Sequence, residues 1–353
     1  MKKDLNKFRN DIDKIDSKLL DLISKRSSIA QKVGKLKNDG VIYKPEREAQ
    51  VLLRLLKENK GPLSNESITN IFKSIISNCR ALEKKLSVSF LGPLGTFSEE
   101  ATIRQFGESI QTIPTDSIDE VFNHVQSGIA HYGVVPVENS TEGAISRTLD
   151  LLLTKDLKIC GEIILPVHHF FLSKNKNLKQ IKTIYAHGQS LAQCHDWLMN
   201  NAPDIKKVAV MSNAEGAKLA SKEKNTAAIA SNRAADLFNL GTLFENIEDE
   251  QNNSTRFLVL SSQNVKPSNN DKTSIVVATK NKPGAIAELV APFAKNKVSM
   301  TKLESRPAKI GMWEYVFFID IEGHQTNKSV KAALNVIESK ASFMKILGSY
   351  PKN

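Results

Sequence analysis

The chain contains 353 residues, of which 41% are hydrophobic and 25% are charged, and its formal net charge is +11. This length exceeds the size at which one hydrophobic core stops growing, so we expect two or three domains. The composition is typical of a globular protein, and no apolar stretch of about twenty residues occurs, which argues against disorder and against a membrane protein. Lys residues are scattered over the whole chain. This distribution favours a solvated basic surface with a few anion-binding groups over a nucleic-acid-binding protein.

The three cysteines, Cys79, Cys160 and Cys194, are widely separated. An odd number of distant cysteines is typical of reduced thiols. His195 follows Cys194, but no second ligand pair lies near it, so we expect no metal site. The basic start of the chain is not followed by an apolar segment, and we expect a cytoplasmic protein without a cofactor.

Residues 4–86 show helical periodicity and almost no strand signal. A seam with alternating spacings of three and four residues predicts one long first helix. The seam consists of Leu5, Phe8, Ile12, Ile15, Leu19, Leu22, Arg26, Ile29, Val33 and Leu36. We expect this helix to end near Asn38-Asp39-Gly40, a second helix to start at Pro45, and a third to be capped by Ser64 and to carry an apolar stripe as far as Leu86.

Arg26 is the exception in this seam, because its nine neighbours there are apolar. A buried guanidinium without an anionic partner destabilises a protein by on the order of several kcal/mol. Lys37 lies about three turns further on, on roughly the same face, so the two cations can clamp a carboxylate. Alternatively, Arg26 reaches solvent or pairs with Glu48.

The second and third helices also carry polar side chains on or beside their apolar faces. These are Arg47, Glu48, Cys79 and Glu83. Each of them alone is more often a surface charge or a core thiol than a site residue, but together they place charges inside a small helical bundle. Arg9 lies too far along a straight helix to share the pocket of Arg26, so it would contribute from a second chain.

With these residues, positions 5–86 resemble the all-helical class of chorismate mutase, an intertwined dimer. The resemblance implies one catalytic residue, Glu83, and a set of substrate-binding residues. That set is Arg9 from the second chain, Arg26, Lys37, Arg47, Glu48 and Cys79. The implied reaction is the rearrangement of chorismate to prephenate, which is promoted by conformational restriction and by stabilisation of the ether oxygen as its bond breaks. Cys79 stands where some members have Ser, and Glu83 where some have Gln.

From Val88 onward, short apolar runs alternate with polar loops and helical stretches. The clearest runs are 88–91, 132–135, 184–186 and 227–230. This alternation predicts mainly parallel sheets with helices on their faces, arranged as two lobes whose polar loops face a cleft. His187 follows one of these runs and either lines the cleft or is structural.

Residues 88–262 resemble prephenate dehydratase in three signatures. They are Gly92-Pro93-Leu94-Gly95-Thr96-Phe97-Ser98, Pro136-Val137-Glu138-Asn139-Ser140 and Thr255-Arg256-Phe257. The resemblance implies that prephenate loses water and carbon dioxide to give phenylpyruvate. Thr255 would protonate the departing hydroxyl, Arg256 would grip a substrate carboxylate with two prongs, and Phe257 would pack nearby. The implied substrate-binding residues are Thr96, Asn139 and Ser140. A plainer interpretation is that Thr255 simply begins a strand.

The polar stretch from Val265 to Lys272 predicts a linker, which would make the last domain a separate body. The order after it is βαββαβ, a ferredoxin-like α+β arrangement. This region resembles an ACT regulatory domain at Pro283-Gly284-Ala285-Ile286-Ala287 and at Glu304-Ser305-Arg306-Pro307. The resemblance implies that phenylalanine binds between paired domains. The implied regulatory residues are Gly284, Ala285, Glu304, Ser305 and Arg306.

We therefore predict a multidomain chain with a helical chorismate mutase domain (1–87), a two-lobed α/β dehydratase domain (88–265) and an ACT domain (272–353). In this order, the three segments resemble the bifunctional chorismate mutase/prephenate dehydratase family. The resemblance implies small anionic substrates, allosteric inhibition by phenylalanine, and a homodimer or higher homo-oligomer. The rival hypothesis is a two-lobed amino-acid-binding sensor with a helical dimerisation arm and no catalysis. That hypothesis does not explain why Arg26, Lys37, Arg47 and Glu48 converge in the arm.

Overall fold

The computed structural model of the chain describes residues 2–36, 41–279, 282–307 and 315–352. The chain divides into two compact units, of which one holds residues 1–86 and 106–111, and the other holds residues 87–105 and 112–353. Within the described part of the chain, no helix is both long and apolar enough to cross a membrane.

The first unit is built from three helices: α1 (Lys2–Leu36), α2 (Pro45–Glu58) and α3 (Asn65–Ala81). Pro45 occupies the first turn of α2, and the Ser64 hydroxyl accepts a hydrogen bond from the Ser67 N–H at 3.1 Å, so both predicted starts are confirmed. The predicted end of α1 near Asn38-Asp39-Gly40 falls outside the described residues. Helix α3 ends at Ala81, short of Leu86, to which we expected its apolar stripe to extend, and a strand begins at Ser87.

The apolar seam of α1 is largely uncovered in the single chain. Its aliphatic and aromatic members from Leu5 to Val33 are 48% to 64% exposed. In a folded protein a continuous apolar stripe is normally buried against another element. The seam is therefore a long apolar face that the chain itself leaves open.

The second unit begins with two α/β lobes. In chain order, their elements are β1 (Ser87–Leu91), α4 (Phe97–Phe106), β2 (Gln111–Thr115), α5 (Ile118–Gln126), β3 (Tyr132–Asn139), β4 (Gly143–Ala144), α6 (Ser146–Thr154), β5 (Lys158–Pro166), β6 (Phe170–Ser173), β7 (Thr183–His187), α7 (Gly188–Gln193), α8 (His195–Asn201), β8 (Lys206–Val210), α9 (Asn213–Ala220), β9 (Thr226–Ala230), α10 (Asn232–Phe238), β10 (Gly241–Phe244) and β11 (Ser254–Ser261). A short 3₁₀ turn, Leu178–Gln180, precedes β7.

These strands form two sheets, with the orders β2-β1-β3-β11-β5 and β10-β6-β9-β7-β8. Both sheets are mixed. Strands β1 and β3 pair in parallel, as do β7 and its neighbours β8 and β9, but β11 is antiparallel to β3 and β5. The expectation of mainly parallel sheets was therefore too simple, because β11 returns from the second lobe to complete the first sheet.

The C-terminal region contains β12 (Asp271–Ala278), α11 (Ala285–Lys295), β13 (Met300–Pro307), β14 (Tyr315–Glu322), α12 (Lys328–Lys340) and β15 (Phe343–Pro351). This is the predicted βαββαβ order, and its sheet runs β13-β14-β12-β15. The sequence predicts the third of these strands from Trp313 to Ile321; its predicted start lies outside the described residues, and the structure gives the strand as Tyr315–Glu322.

The C-terminal sheet shares a hydrophobic core with the first lobe. The cluster around Val135 and Leu258 also contains Val276, Phe318 and Leu347 from the C-terminal strands. A Cβ at Gly348 would lie against the backbone of Ile159, so β15 and β5 approach as closely as backbones can.

The segment between the two domains is ordered. Ser268 is buried and donates its backbone N–H to the Asp271 carboxylate at 2.9 Å. The prediction that a loose linker makes the last domain a separate body therefore differs from the structure, in which both belong to one compact unit.

Candidate active sites

A cavity of about 400 Å³ lies between the two lobes of the second unit. It is lined by loop and helix-start segments of both sheets: 95–98 before and within α4, 142–145 before α6, 187–190 around the start of α7, and 211–213 before α9. Strand ends place Asn139, Thr255 and Phe257 in the same wall. The predicted cleft is therefore present, with residues of all three dehydratase-like signatures around it.

Thr255 and Asn139 form the polar centre of this wall. The Asn139 side-chain N–H₂ donates to Thr255 Oγ1 at 3.0 Å and to Asn253 Oδ1 at 2.8 Å. The orientation of this amide is fixed, because Asn139 Oδ1 accepts the backbone N–H groups of Thr141 and Glu142 at 3.0 and 3.2 Å. Thr255 Oγ1 already accepts one hydrogen bond, so its own hydrogen is available for another partner.

The remaining predicted dehydratase residues differ in their placement. Phe257 is buried and lines the cavity. Thr96 also lines it, but its hydroxyl donates to the Pro93 carbonyl at 2.9 Å, which helps to shape the loop before α4. Ser140 is exposed and does not line the cavity; its Oγ accepts the Ser254 N–H at 2.9 Å and so joins β11 to the end of β3.

The loop before α4 is tied to the second lobe through Glu99. One carboxylate oxygen accepts the Gly95 N–H at 2.6 Å, and the other lies 3.2 Å from an Arg233 nitrogen on α10. Ser231 donates to the Gly95 carbonyl at 3.0 Å. These contacts hold the start of α4 at the cleft.

No Lys or Arg side chain occurs among the described residues that line this cavity. The polar groups of the described lining residues are hydroxyls, amides, imidazoles and the Glu142 carboxylate, and the helices α4, α6 and α9 begin at the cavity walls. Helix N-termini present unpaired N–H groups and a partial positive charge. The cavity can therefore bind an anion through the oriented N–H dipoles of these helix starts instead of through Lys or Arg side chains.

His169 lines the cavity and was not predicted from the sequence. Its Nε2 lies 2.9 Å from Gln193 Oε1, and burial lowers the pKa of the imidazole, so the ring is neutral at pH 7. Its adjacent His168 is half exposed and pairs with Glu248 at 2.7 Å. Two consecutive histidines shortly after a strand are the sequence signal that could have indicated His169.

His187 lines the cavity, as one of its two interpretations expected. Its side chain also accepts the Gln189 N–H at the start of α7, which is a structural role, as the other interpretation expected.

Arg256 was predicted to grip the substrate, but it does not line the cavity. Its guanidinium points to the other face of β11, where Nε donates to Glu162 Oε2 at 2.9 Å and Nη1 lies 2.6 Å from Asp320 Oδ2. The Arg256 side chain is 12% exposed. The guanidinium does bind carboxylates, but they are those of Glu162 and Asp320 and not those of a substrate.

The first unit contains a cavity of about 480 Å³ between α1, the segment after it and the end of α3. The described residues that line it are Gln31, Gly34, Lys35, Val41, Ile42, Leu82, Glu83 and Lys84. Glu83 is the one predicted mutase residue among them. A Cβ at Gly34 would lie 2.6 Å from Glu83 Cγ, so the glycine makes room for this carboxyl group.

Glu48 lies in a buried ion pair that the sequence did not predict. Its carboxylate accepts from Arg80 at 3.1 Å, and both side chains are at most 10% exposed. Arg80 also donates to the Phe106 carbonyl at 2.7 Å and stacks over Tyr43. Burial raises the pKa of Glu48, while Arg80, Lys73 and Arg26 oppose that rise. Among the described contacts, Arg26 acts on Glu48 through this electrostatic effect alone, so both interpretations of Arg26 stay predictions.

The other predicted mutase residues are less closely grouped. Cys79 is buried, with its sulfur 3.2 Å from Ser27 Oγ. Arg9 and Arg47 are exposed in the single chain, so Arg47 does not lie inside the helical bundle as expected. Lys37 lies outside the described residues.

Arg80, Gln31 and Lys35 were missed. Gln31 and Lys35 lie off the apolar seam, which was the pattern used to select residues on α1. A glycine inside a helical pattern often marks close packing, and Gly34 was the available signal for this cavity.

The predicted regulatory residues lie at two places in the C-terminal domain. Gly284, with φ +82°, is the N-cap of α11, and Ala285 follows it. Glu304, Ser305 and Arg306 lie on β13. Arg306 has a nitrogen 3.5 Å from Asp150 on α6, so this motif contacts the dehydratase-like lobe.

Known families match each part of the chain. The family model described as prephenate dehydratase matches residues 88–265, chorismate mutase type II matches residues 8–84, and ACT domain matches residues 273–339.

Relatives match over the full length. The chain is 48% identical to a bifunctional chorismate mutase/prephenate dehydratase of Pseudomonas aeruginosa, with 99% of this chain and 98% of the relative covered. It is 40% identical to a protein of the same description from Aquifex aeolicus, with the same coverage of 99% and 98%. Among solved structures, a prephenate dehydratase from Arthrobacter aurescens in complex with L-Phe matches with a TM-score of 0.70 and 32% identity, covering 76% of this chain and 90% of that one.

Proposed function

Because this chain belongs to the bifunctional chorismate mutase/prephenate dehydratase family, we propose how its two sites divide the work. The protein rearranges chorismate to prephenate and converts prephenate to phenylpyruvate with loss of water and carbon dioxide. We assign the first reaction to the cavity of the helical unit and the second to the cleft between the lobes.

The Asn139–Thr255 hydrogen bond is the observation that best supports the dehydratase assignment. Loss of water and carbon dioxide makes the ring aromatic, so the enzyme mainly has to hold the ring and protonate the departing hydroxyl. Asn139 donates to Thr255 Oγ1 and thereby leaves the threonine hydrogen for that hydroxyl. Phe257 packs against the bound ring, and the helix starts around the cavity bind its carboxylates.

In the helical unit, Glu83 acts on the ether oxygen of chorismate. Only the protonated acid can donate a hydrogen bond to that oxygen. Arg26, Lys37, Arg47 and Arg9 from a second chain supply the positive charge that two carboxylates require. Glu48 and Cys79 complete the substrate-binding set, and Arg80 holds the Glu48 carboxylate in place.

The exposed seam of α1 supports a homodimer or a higher homo-oligomer. A second copy of the same helix matches the seam in length and spacing, and pairing would bury side chains that are about half exposed in one chain. Ile12→Asp should weaken this association, which light scattering measures as a lower mass. Asp13→Asn, next to it, is the matched control.

Phenylalanine is the proposed allosteric effector. The Arthrobacter aurescens relative is described in complex with L-Phe, and this chain carries the ACT motif at residues 304–307. Ser305→Ala or Arg306→Ala should weaken inhibition by phenylalanine with little loss of the uninhibited rate. We place the protein in the cytoplasm.

The test of the two activities uses the purified full chain. Chorismate is added, loss of its diene absorbance reports the first step, and phenylpyruvate formation reports the second. Thr255→Ala should let prephenate accumulate, whereas Arg26→Ala should abolish consumption of chorismate but leave added prephenate a substrate. A chain that binds phenylalanine and consumes neither compound would support the sensor hypothesis instead.

A further inference from the structure

Arg256 stands between two residues of the cleft but is bound by the C-terminal domain. Thr255 and Phe257 line the cavity, whereas Arg256 contacts Asp320 on β14 and Tyr350 on β15. Successive side chains of a strand point to opposite faces, which explains the alternation. The strand that presents Thr255, the proposed proton donor, is therefore bound on its opposite face by the C-terminal domain.

The contacts behind the strand form a closed ring of hydrogen bonds and charge. Arg256 donates to the Tyr350 hydroxyl at 3.1 Å, and this hydroxyl lies 2.7 Å from Ser274 Oγ. A carboxylate only accepts hydrogen bonds, so the Ser274 hydroxyl donates to Asp320 at 2.5 Å. Because this uses the one hydrogen of the serine hydroxyl, the Tyr350 hydroxyl donates to Ser274 Oγ. Asp320 closes the ring with Arg256 at 2.6 Å. Burial raises the pKa of Tyr350 well above its usual range, so the hydroxyl remains a donor.

The ring is part of a larger layer of acidic and basic side chains. Glu162 binds both Arg256 and Lys272, at 2.9 and 2.7 Å, and its side chain is 2% exposed. Lys302 donates to Glu138 at 2.6 Å. The acids Glu138, Glu162 and Asp320 thus face the cations Arg256, Lys272 and Lys302, and Glu304 is a further acid 3.6 Å from Lys302.

This layer has no room for a substrate. The cavity beside Arg256 measures about 20 Å³, enough for about one water molecule and too small for a six-membered ring. Arg256 therefore cannot reach the substrate without leaving four hydrogen-bonded or charged partners.

On one of its two edges, the strand has an irregular ladder at this point. The pairing of β11 with β3 shifts register between Arg256 and Phe257. Bulges of this kind interrupt the ladder and re-aim side chains next to active sites. The pairing of β11 with β5 is regular here, so the side-chain contacts of Arg256 add to a ladder that is regular on one edge and irregular on the other.

We propose that Arg256 is a positioning residue of the dehydratase reaction, and that Asp320 and Tyr350 of the C-terminal domain fix the strand that presents Thr255. This inference rests on the dehydratase function proposed above. The C-terminal domain then supports catalysis as well as carrying the effector motif. A residue that acts in this way changes turnover, because the donor is misplaced, and leaves substrate binding nearly unchanged.

The experiment measures kcat and KM for prephenate in the full chain with Tyr350→Phe, Asp320→Asn and Arg256→Lys. Each variant should lower kcat about tenfold, which corresponds to about 1.4 kcal/mol, and leave KM within about twofold. Lys352→Met is the matched control, because it breaks a solvent-exposed pair with Glu322 on the same sheet; its kcat should be unchanged.

A double-mutant cycle connects the two domains. Arg256→Lys combined with Asp320→Asn should cost less than the product of the two separate effects, because both remove the same contact. If a charge-changing variant does not fold, Tyr350→Phe decides the question, since it removes one oxygen atom and keeps the ring.

Two results overturn the inference. One is an unchanged kcat in Tyr350→Phe, and the other is a rise in KM for Arg256→Lys that Asp320→Asn does not share, as expected for a direct substrate contact. Failure of the proposed function looks different, because the unmodified chain would then form no phenylpyruvate from prephenate.

Discussion

The two cavities that we propose as active sites offer different physical means of binding small anions. The helical cavity is lined by Lys35, Lys84 and Glu83, and further charged residues are proposed to complete it. The described residues that line the cleft include no Lys or Arg, and helix starts surround it. A site of whole charges depends on a few replaceable side chains. A site of dipoles depends on where the backbone lies, so it is more sensitive to packing in distant parts of the same unit.

The largest effect is expected at the centre of the cleft. Thr255→Ala removes the hydroxyl that Asn139 orients, and turnover of prephenate should fall by about 10²–10³-fold, the usual contribution of one positioned proton donor. Thr255→Ser is the matched control and should retain most of the activity, and the mutase rate should be unchanged. Stopped assays for phenylpyruvate and chorismate measure both. Turnover within about threefold of the unmodified chain would rule out the assignment.

The charged region should respond to loss of one side chain with a pH-dependent loss of stability. Arg80→Met leaves Glu48 buried without its ion pair, which should cost about 3–5 kcal/mol at neutral pH. Burial already raises the pKa of Glu48, and Arg80 opposes that rise, so the variant raises it further. A carboxyl group with a raised pKa in the folded state contributes stability in acid and loses it as the pH rises through that value.

The stability deficit of Arg80→Met should therefore be smallest in acid and grow toward neutral pH. Thermal unfolding of the full chain at several pH values measures it. Arg54→Met is the matched control, because the Arg54–Glu58 pair is about 60% exposed and such pairs contribute about 0–1 kcal/mol. A deficit that does not depend on pH would mean that the Arg80 effect is not exerted through Glu48.

The dependence of the cleft on distant packing can be tested at Gly348. A Cβ there would press on the backbone of Ile159, so Gly348→Ala should force β15 away from β5 and destabilise the second unit by about 1–3 kcal/mol. Dehydratase turnover should fall with it, and mutase turnover should not. Gly188→Ala is the control for stability, since no atom lies within 4 Å of its added Cβ. Equal melting temperatures for Gly348→Ala and the unmodified chain would contradict the close approach.

The smallest effect is expected at Glu83. Mutase turnover should fall as the pH rises, because only the protonated acid donates to the ether oxygen, and Glu83→Gln should flatten that fall. Gly34→Ala places a methyl group where the Glu83 side chain lies and should lower turnover about tenfold, or about 1.4 kcal/mol. Gly61→Ala in the same unit is the control, because the nearest atom to its added Cβ is Asn59 Oδ1 at 3.8 Å, an ordinary van der Waals contact. An unchanged pH profile in Glu83→Gln would remove Glu83 from the site.

Removal of the C-terminal domain is a poor test of regulation in this protein. Val276, Phe318 and Leu347 belong to the same core as Val135 and Leu258 of the first lobe. A chain truncated after Lys266 would expose that core to water, and loss of activity would follow from unfolding. Point substitutions such as Ser305→Ala separate regulation from stability.

The sequence by itself determined the elements and their order. The seam from Leu5 to Leu36, Pro45, Ser64 and the βαββαβ pattern depend on local periodicity and capping, which act over one to four residues. The motifs also located the cleft, because Asn139 at the end of β3 pairs with Thr255 near the start of the antiparallel strand β11.

Only the tertiary structure decided which partners the charged residues have. The sequence indicated that Arg26 needs an anionic partner and that Glu48 and Arg256 contact substrate. The partners that Glu48 and Arg256 have in the structure are Arg80, Asp320 and Tyr350, which lie 32 to 94 residues away in sequence or in another domain. Local patterns contain no information about contacts at such separations, since the burial of a charge and its pairing are set by how complete elements pack together. For the same reason the linker from Val265 to Lys272 looked loose in sequence, whereas a shared core makes the two domains one unit.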